Sequence, residues 1–255
     1  MISILIPIYN GIKFIEESVS SVLSQTYSEW ELLIGINGHP QNSDVYKIAK
    51  EYENKSIKIK VFDFYTIKGK SNTLNEMIKH CSYDYIAILD VDDIWHPQKL
   101  EIQIKKVLED YDVIGSRCLY FGNIQNKICN IPIGDISNYD FSLKNPIINS
   151  SSIIKKELCY WNENGIEDYN LWLQLKKQNK QIYNCEQILV KHRIHNESAF
   201  NTKENTSKIY NLLISYGYQV QIKPKKNILK QNKNKLNKNL FKFIPSVKKI
   251  QINIK

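Results

Sequence analysis

Over its first ninety residues the chain switches three times between two hydrophobic periods, and that switching restricts the fold more than any other feature. Ile2 to Ile8, Leu32 to Ile36, Ile57 to Phe62 and Tyr85 to Leu89 are short, rich in β-branched or aromatic residues and bounded by turn formers, as strands are. Between them apolar residues return every three or four positions: Ile12, Ile15, Val19, Val22 and Leu23; then Val45, Ile48, Ala49 and Tyr52; then Leu74, Met77 and Ile78. That spacing puts an apolar stripe along one face of a helix. Strand alternating with helix predicts an α/β domain with a mostly parallel central sheet, right-handed crossovers and helices on both faces. Ligands of such sheets bind at the carboxyl ends of the strands, where this chain carries Tyr9-Asn10, Asn37-Gly38 and Asp90 to Asp93.

Farther along, Pro97 is predicted to open a helix through Leu100, Ile104, Val107 and Leu108. Strand pieces are expected at Val113 to Gly115 and Leu119 to Phe121. Residues 122 to 149 then lose periodicity, and a stretch of that length in a compact domain is usually functional; an acceptor-side loop is expected there. A helix from Asp168 to Gln178, strands at Gln181 to Cys185 and Ile188 to Lys191, and a helix from Lys203 to Tyr216 complete the pattern. The expected division is a domain over 1–220, with halves at about 1–115 and 116–220, followed by a tail over 221–255.

The net charge of +9 suggests a nucleic-acid binder until it is located. Residues 223 to 255 hold eleven lysines and no acid, so the rest of the chain carries −2. Nucleic acid is therefore not an expected partner of the folded part. The tail reads either as an unstructured basic segment or, through Leu236, Leu240, Phe243 and Val247, as an amphipathic helix lying on a membrane surface, with Pro245 interrupting it. Five scattered cysteines without a C-x-x-C pair argue against a disulfide framework or a zinc site. With no basic leader and no apolar run long enough to span a bilayer, the expected location is cytoplasmic, with peripheral membrane contact through the tail. Asn149-Ser150-Ser151 and Asn196-Glu197-Ser198 fit the N-glycosylation triplet, as chance predicts in a chain rich in Asn and Ser.

Asp90, Asp92 and Asp93 follow an apolar strand directly, and three carboxylates within four residues repel one another unless a cation or several donors compensate. Manganese and magnesium take oxygen ligands and bind through one or two carboxylates plus substrate phosphates. A divalent metal, Mn2+ or Mg2+, is thus the expected cofactor. The alternative is a solvated turn whose aspartates cap the next helix.

Ile4-Leu5-Ile6-Pro7-Ile8-Tyr9-Asn10-Gly11, Gly69-Lys70 with Asn75, Leu89 to Trp95 with Pro97 and Leu100, and Glu167 to Trp172 together resemble the family 2 glycosyltransferases of the GT-A fold. Four motifs in the right order over some 200 residues are more specific than any one. The resemblance implies an inverting transfer from a nucleotide-sugar, with UDP as the expected nucleotide, to a glycan, lipid or protein hydroxyl. It implies that Pro7, Tyr9 and Asn10 line the nucleotide pocket, that Asp90 contacts the nucleoside, that Asp92 with Asp93 holds the metal, and that Asp168 is the general base. Arg193 and His195 resemble the late segment that closes over diphosphate and metal.

Around these, Lys70 is either a diphosphate contact or an exposed first-turn residue. Glu167 and Trp161 are placed on the acceptor side, Trp161 as a stacking face, although a tryptophan there is more often core. Where the family usually has two acids before a glycine, this chain has Ile36-Asn37-Gly38. Ile36 cannot accept a base N–H and Asn37 can, so the nucleotide stays open. Two rival functions remain at this stage, a sugar nucleotidyltransferase on a similar sheet and a nucleic-acid binder acting through the tail.

Overall fold

The computed structural model describes residues 1–124, 126–163, 166–195 and 204–219. The predicted alternation is present as β1 (Ile2–Ile8), α1 (Ile15–Leu23), β2 (Trp30–Asn37), α2 (Asp44–Lys50), β3 (Ile59–Phe64), α3 (Lys70–Met77) and β4 (Tyr85–Ile88). These four strands pair in parallel in the order β3-β2-β1-β4. Successive side chains of a strand point to opposite faces, and β1 shows why its run is unbroken. Ile2, Ile4, Ile6 and Ile8 enter one apolar cluster with Ile15, Val19 and Val22 of α1, whereas Leu5 enters a second with Leu74 and Met77 of α3. Each such aliphatic side chain contributes about 1.5–3 kcal/mol on full burial. A single polar residue in β1 therefore costs core on one face or the other.

The second half comprises β5 (Ile94–Trp95), α4 (Lys99–Leu108), β6 (Val113–Gly122), β7 (Lys127–Ile128), β8 (Gly134–Asp135), β9 (Ile153–Lys155), α5 (Glu167–Lys177), β10 (Ile182–Ile194) and α6 (Glu204–Ser215). From β4 the sheet continues β9-β6-β10-β5. β9 is antiparallel to both of its neighbours, β10 is parallel to β6, and β5 is antiparallel to β10. The sheet curls until β5 meets α1: the Trp95 amide donates to Ser21 Oγ at 3.1 Å, and Gln25 Nε2 donates to the His96 carbonyl at 2.9 Å. The result is the expected α/β architecture, a curled and mostly parallel sheet with helices on its faces.

Several expectations are corrected. β3 begins two residues late because its ladder with β2 starts at Ile59, which leaves Ile57 beyond the sheet and 96% exposed. Pro97 lies before α4 rather than inside it, since Ile94 and Trp95 are taken into β5. The two strand pieces after Asp112 are one strand, and so are the two after Lys180, where a bulge near Ile188 breaks the alternation read from the sequence. Residues 122–149 do not form a free loop: β7 pairs with β6, β8 pairs with β10, and Ile136, Phe141 and Ile147 are buried. The basic tail and its membrane-helix reading lie outside the described residues, and within them no helix is long and apolar enough to cross a membrane.

Candidate active site

At the carboxyl end of β4 the chain turns sharply, the Asp93 amide donating to the Asp90 carbonyl at 3.0 Å. Each of the three carboxylates meets a different partner. Asp90 accepts from Lys70 Nζ at 2.6 Å, from Asn149 Nδ2 at 3.2 Å and from Ser150 Oγ at 3.3 Å. Burial alone would raise its pKa, but the Lys70 charge and the hydrogen bonds from Lys70 and Asn149 hold it below the ordinary carboxylate value. It is ionised and nearly saturated with donors.

Asp93 is completely buried, with Oδ2 2.8 Å from His192 Nδ1 and Oδ1 accepting the Arg193 amide at 2.8 Å. Burial works against charge on His192, yet the Asp93 carboxylate, with Asp90 and Asp92 behind it, pushes its pKa up to about 9. The imidazole is therefore protonated at neutral pH, and the ring sits edge-on to Tyr120 at 5.6 Å. Asp92, between these two, faces His195, Oδ2 to Nε2 being 2.9 Å. Its pKa is raised, first by burial and then by the neighbouring Asp93 and Asp90 charges, against the hydrogen bond from His195. Asp92 is the member of the trio on which the like charges still press.

Across the cleft, α5 presents Glu167 and Asp168 in its first turn, where negative charge is favoured by the helix dipole. Asp168 Oδ1 accepts the Tyr169 amide at 2.7 Å, and Oδ2 accepts Asn145 Nδ2 at 2.9 Å. Burial, followed by the Glu167 charge, raises its pKa to about 6 despite Lys70 and those two donors. Lys70 joins the two sides, its ammonium lying 2.6 Å from Asp90 and 3.1 Å from Glu167. These two carboxylates raise its pKa against the effect of burial. Lys70 is thus neither an exposed first-turn residue nor a free cation.

The remaining residues divide. Pro7 is buried in β1 opposite Gly35, and Asn37 is buried at the end of β2. Tyr9 is 56% exposed and Asn10 is exposed. The Tyr9 ring lies against Gly38, where a Cβ would fall 2.9 Å from ring carbons and where φ is +72°, so only glycine fits without strain. Beside it the His39 ring stands 5.4 Å away, its Nε2 2.6 Å from the Tyr9 carbonyl. An aromatic platform therefore stands at the carboxyl ends of β1 and β2.

Two expected contacts are placed elsewhere. Trp161 is 1% exposed and packs into the cluster containing Leu74, Tyr169 and Trp172, so it has no face to offer a sugar. Asn75 bonds both to its amide and to its carbonyl, at 3.0 and 2.8 Å, and sews it to α3. The Arg193 guanidinium lies between Phe14 and Phe121, 4.5 and 4.3 Å from their ring centroids. Its Nε donates to the Asp92 carbonyl at 2.8 Å, and Nη2 is 2.9 Å from Glu17, close enough for an ion pair but off the line of a hydrogen bond. It braces the acidic turn from behind.

Sequence reasoning missed His39, Asn145, Asn149 and Ser150. Asn149-Ser150 was visible only as a glycosylation triplet. The one usable signal lay in composition: short amide and hydroxyl side chains are where a buried carboxylate finds its donors.

The curled, mostly parallel sheet, with its acidic turn at a strand end, is the GT-A fold of glycosyltransferases. The chain belongs to glycosyl transferase family 2, whose model matches residues 3–154, and it is a glycosyltransferase. An Escherichia coli relative, UDP-Glc:alpha-D-GlcNAc-diphosphoundecaprenol beta-1,3-glucosyltransferase WfgD, is 32% identical over 220 residues, covering 80% of this chain and 81% of that protein. TarS of S. aureus, solved with UDP-GlcNAc, superposes with a TM-score of 0.69 at 16% identity over 84% of this chain and 65% of its own. Mannosyltransferase PcManGT of Pyrobaculum calidifontis, solved with GDP-Man and Mn2+, gives a TM-score of 0.62 at 12% identity over 84% of this chain and 62% of its own. The chain spans just under two-thirds of either solved chain.

Proposed function

We propose that this glycosyltransferase moves a sugar, with inversion, from a UDP-sugar to a hydroxyl of a lipid-linked glycan, with Asp168 as general base and a divalent metal on the diphosphate. The observation that carries the reading is the Asp168 carboxylate, half-buried in the first turn of α5, with a pKa near 6 and with its neighbour Glu167 linked through Lys70 to Asp90 of the acidic turn. A base with a pKa close to the working pH combines availability with driving force. Asp168 takes the acceptor proton, the acceptor oxygen bonds to the anomeric carbon, and the bond from that carbon to the diphosphate oxygen breaks. The nucleoside diphosphate departs on the opposite face.

Among the described residues no group of three or more His, Cys, Asp and Glu side chains is arranged to hold an ion. Asp93 does not fit as a ligand, because both its oxygens are taken and it is fully buried. Asp92 and His195 do fit: they already face each other, and a cation between them answers the like charges that raise Asp92. Two protein ligands plus phosphate oxygens suit Mn2+ or Mg2+. When bound, such an ion supplies charge neutralisation for the departing diphosphate.

Tyr9 and His39 are assigned to the base, with Asn37 and Asn10 beside them, and Pro7 shapes the strand end beneath. Asp90 orients the ribose side, and Lys70 reaches the diphosphate by leaving Glu167. Glu167 then faces the acceptor. Arg193 is assigned a bracing role. The UDP donor is supported by the name of WfgD and by the UDP-GlcNAc bound to TarS, and the lipid-linked acceptor by the name of WfgD alone. Peripheral attachment to a membrane follows from such an acceptor. Membership of a glycosyltransferase family decides against the nucleotidyltransferase reading.

Thermal denaturation against UDP-glucose, UDP-GlcNAc and GDP-mannose, each with and without Mn2+, tests the proposal. A UDP-sugar is expected to raise Tm only with metal present, because a ligand that binds the folded state stabilises it. Stabilisation by GDP-mannose alone, or by none of the three, contradicts it.

A further inference from the structure

One short segment, residues 145–150, reaches both sides of the cleft. Its distal end holds Asp90 through Asn149 and Ser150. Its proximal end holds Asp168 through Asn145, at 2.9 Å. The segment is itself fixed: the Pro146 carbonyl accepts from the fully buried Asn184 at 2.9 Å, and Ile147 is 1% exposed. Asn145 Oδ1 accepts the Ile147 amide at 3.3 Å, so the amide oxygen is engaged locally and the NH2 group must face the carboxylate.

We propose that Asn145 is a positioning residue for the base, fixing Asp168 Oδ2 from the acceptor-side segment and favouring its charged form; this rests on Asp168 being the base. Asp168 is otherwise subject to two opposing charges, Glu167 on its own helix and Lys70 from α3, with the Tyr169 amide on Oδ1 as the remaining donor. A hydrogen bond to a charged carboxylate stabilises the charged form, so the donor keeps the base deprotonated near neutrality.

The test compares the full chain with Asn145→Ser. A serine hydroxyl still accepts an amide two residues on, preserving the local turn, but is too short to reach Asp168. Asn145→Ala is the second variant, should serine disturb folding. Carboxyl carbon NMR of Asp-labelled protein, with the Asp168 signal identified by its loss in Asp168→Asn, reads the titration directly. Removal of the donor is expected to raise the Asp168 pKa by about one unit, a roughly tenfold change in proton affinity. UDP release from UDP-GlcNAc with Mn2+ is expected to fall roughly fivefold at pH 6 and very little at pH 8, where the base is deprotonated again. An unchanged Asp168 titration, or a loss of rate equal at both pH values, overturns the inference while leaving Asp168 as base. Asp168→Asn that retains UDP release removes the base assignment, and the inference with it.

Discussion

At the scale of single residues, the site is a set of carboxylates sorted by their partners. Asp90 and Asp93 are locked by donors, Asp92 is pressed by like charges, and Asp168 is half-buried with its proton affinity raised. A carboxylate whose folded pKa lies above its unfolded value destabilises the fold once pH exceeds that value. Asp168→Asn is therefore expected to raise Tm at pH 7.5 and to leave it nearly unchanged at pH 4, measured by calorimetry. Equal Tm values at both pH values would show that the residue is not strained by its charge. In the active enzyme the same pKa sets an acid limb near pH 6 in kcat/KM, activity being lost as pH is lowered through it. The sequence made the carboxylates legible because acids after an apolar strand stand out, but it did not show their donors. Asn145, Asn149 and Ser150 are ordinary loop residues until the fold brings them to Asp168 and Asp90.

At the scale of elements, two tryptophans and a lysine separate packing from recognition. Trp161 lies in the core and is stitched to α3 by Asn75, so Trp161→Ala is expected to cost about 3–5 kcal/mol of stability. Urea denaturation reads that loss; a stable variant with a weakened acceptor KM would restore the stacking role instead. Lys99 on α4 is fully buried, its ammonium 3.9 Å from the Trp95 ring centroid and without a hydrogen-bond partner among the described residues. Burial lowers its pKa to about 7, the nearby Cys185 opposing only slightly. Because the folded state disfavours the charged amine, the cost is greatest at low pH and fades above that value. Lys99→Met is accordingly expected to raise Tm more at pH 6 than at pH 9. The parallel strands could be read from sequence because both faces are buried and their runs are unbroken. β5 and β9 could not, being two and three residues long and defined by their partners rather than by any period.

Across the whole molecule, the curl of the sheet makes the site. It carries β10 and β5 around to α1, so that His192, Arg193 and His195 close on a turn that leaves β4 on the far side of β9 and β6. Residues 145–150 and Lys70 then tie donor and acceptor sides together. Removal of divalent metal with EDTA is expected to abolish UDP release and to restore it on adding Mn2+; Asp92→Asn should weaken that rescue by at least tenfold, whereas activity indifferent to EDTA would exclude the metal assignment. The most direct test of the account is a paired measurement on Asp168→Asn, turnover of a UDP-sugar alongside its dissociation constant in the presence of Mn2+. The account predicts turnover reduced by about a thousandfold or more with donor affinity unchanged. Retained turnover, or loss of donor binding together with activity, would contradict it.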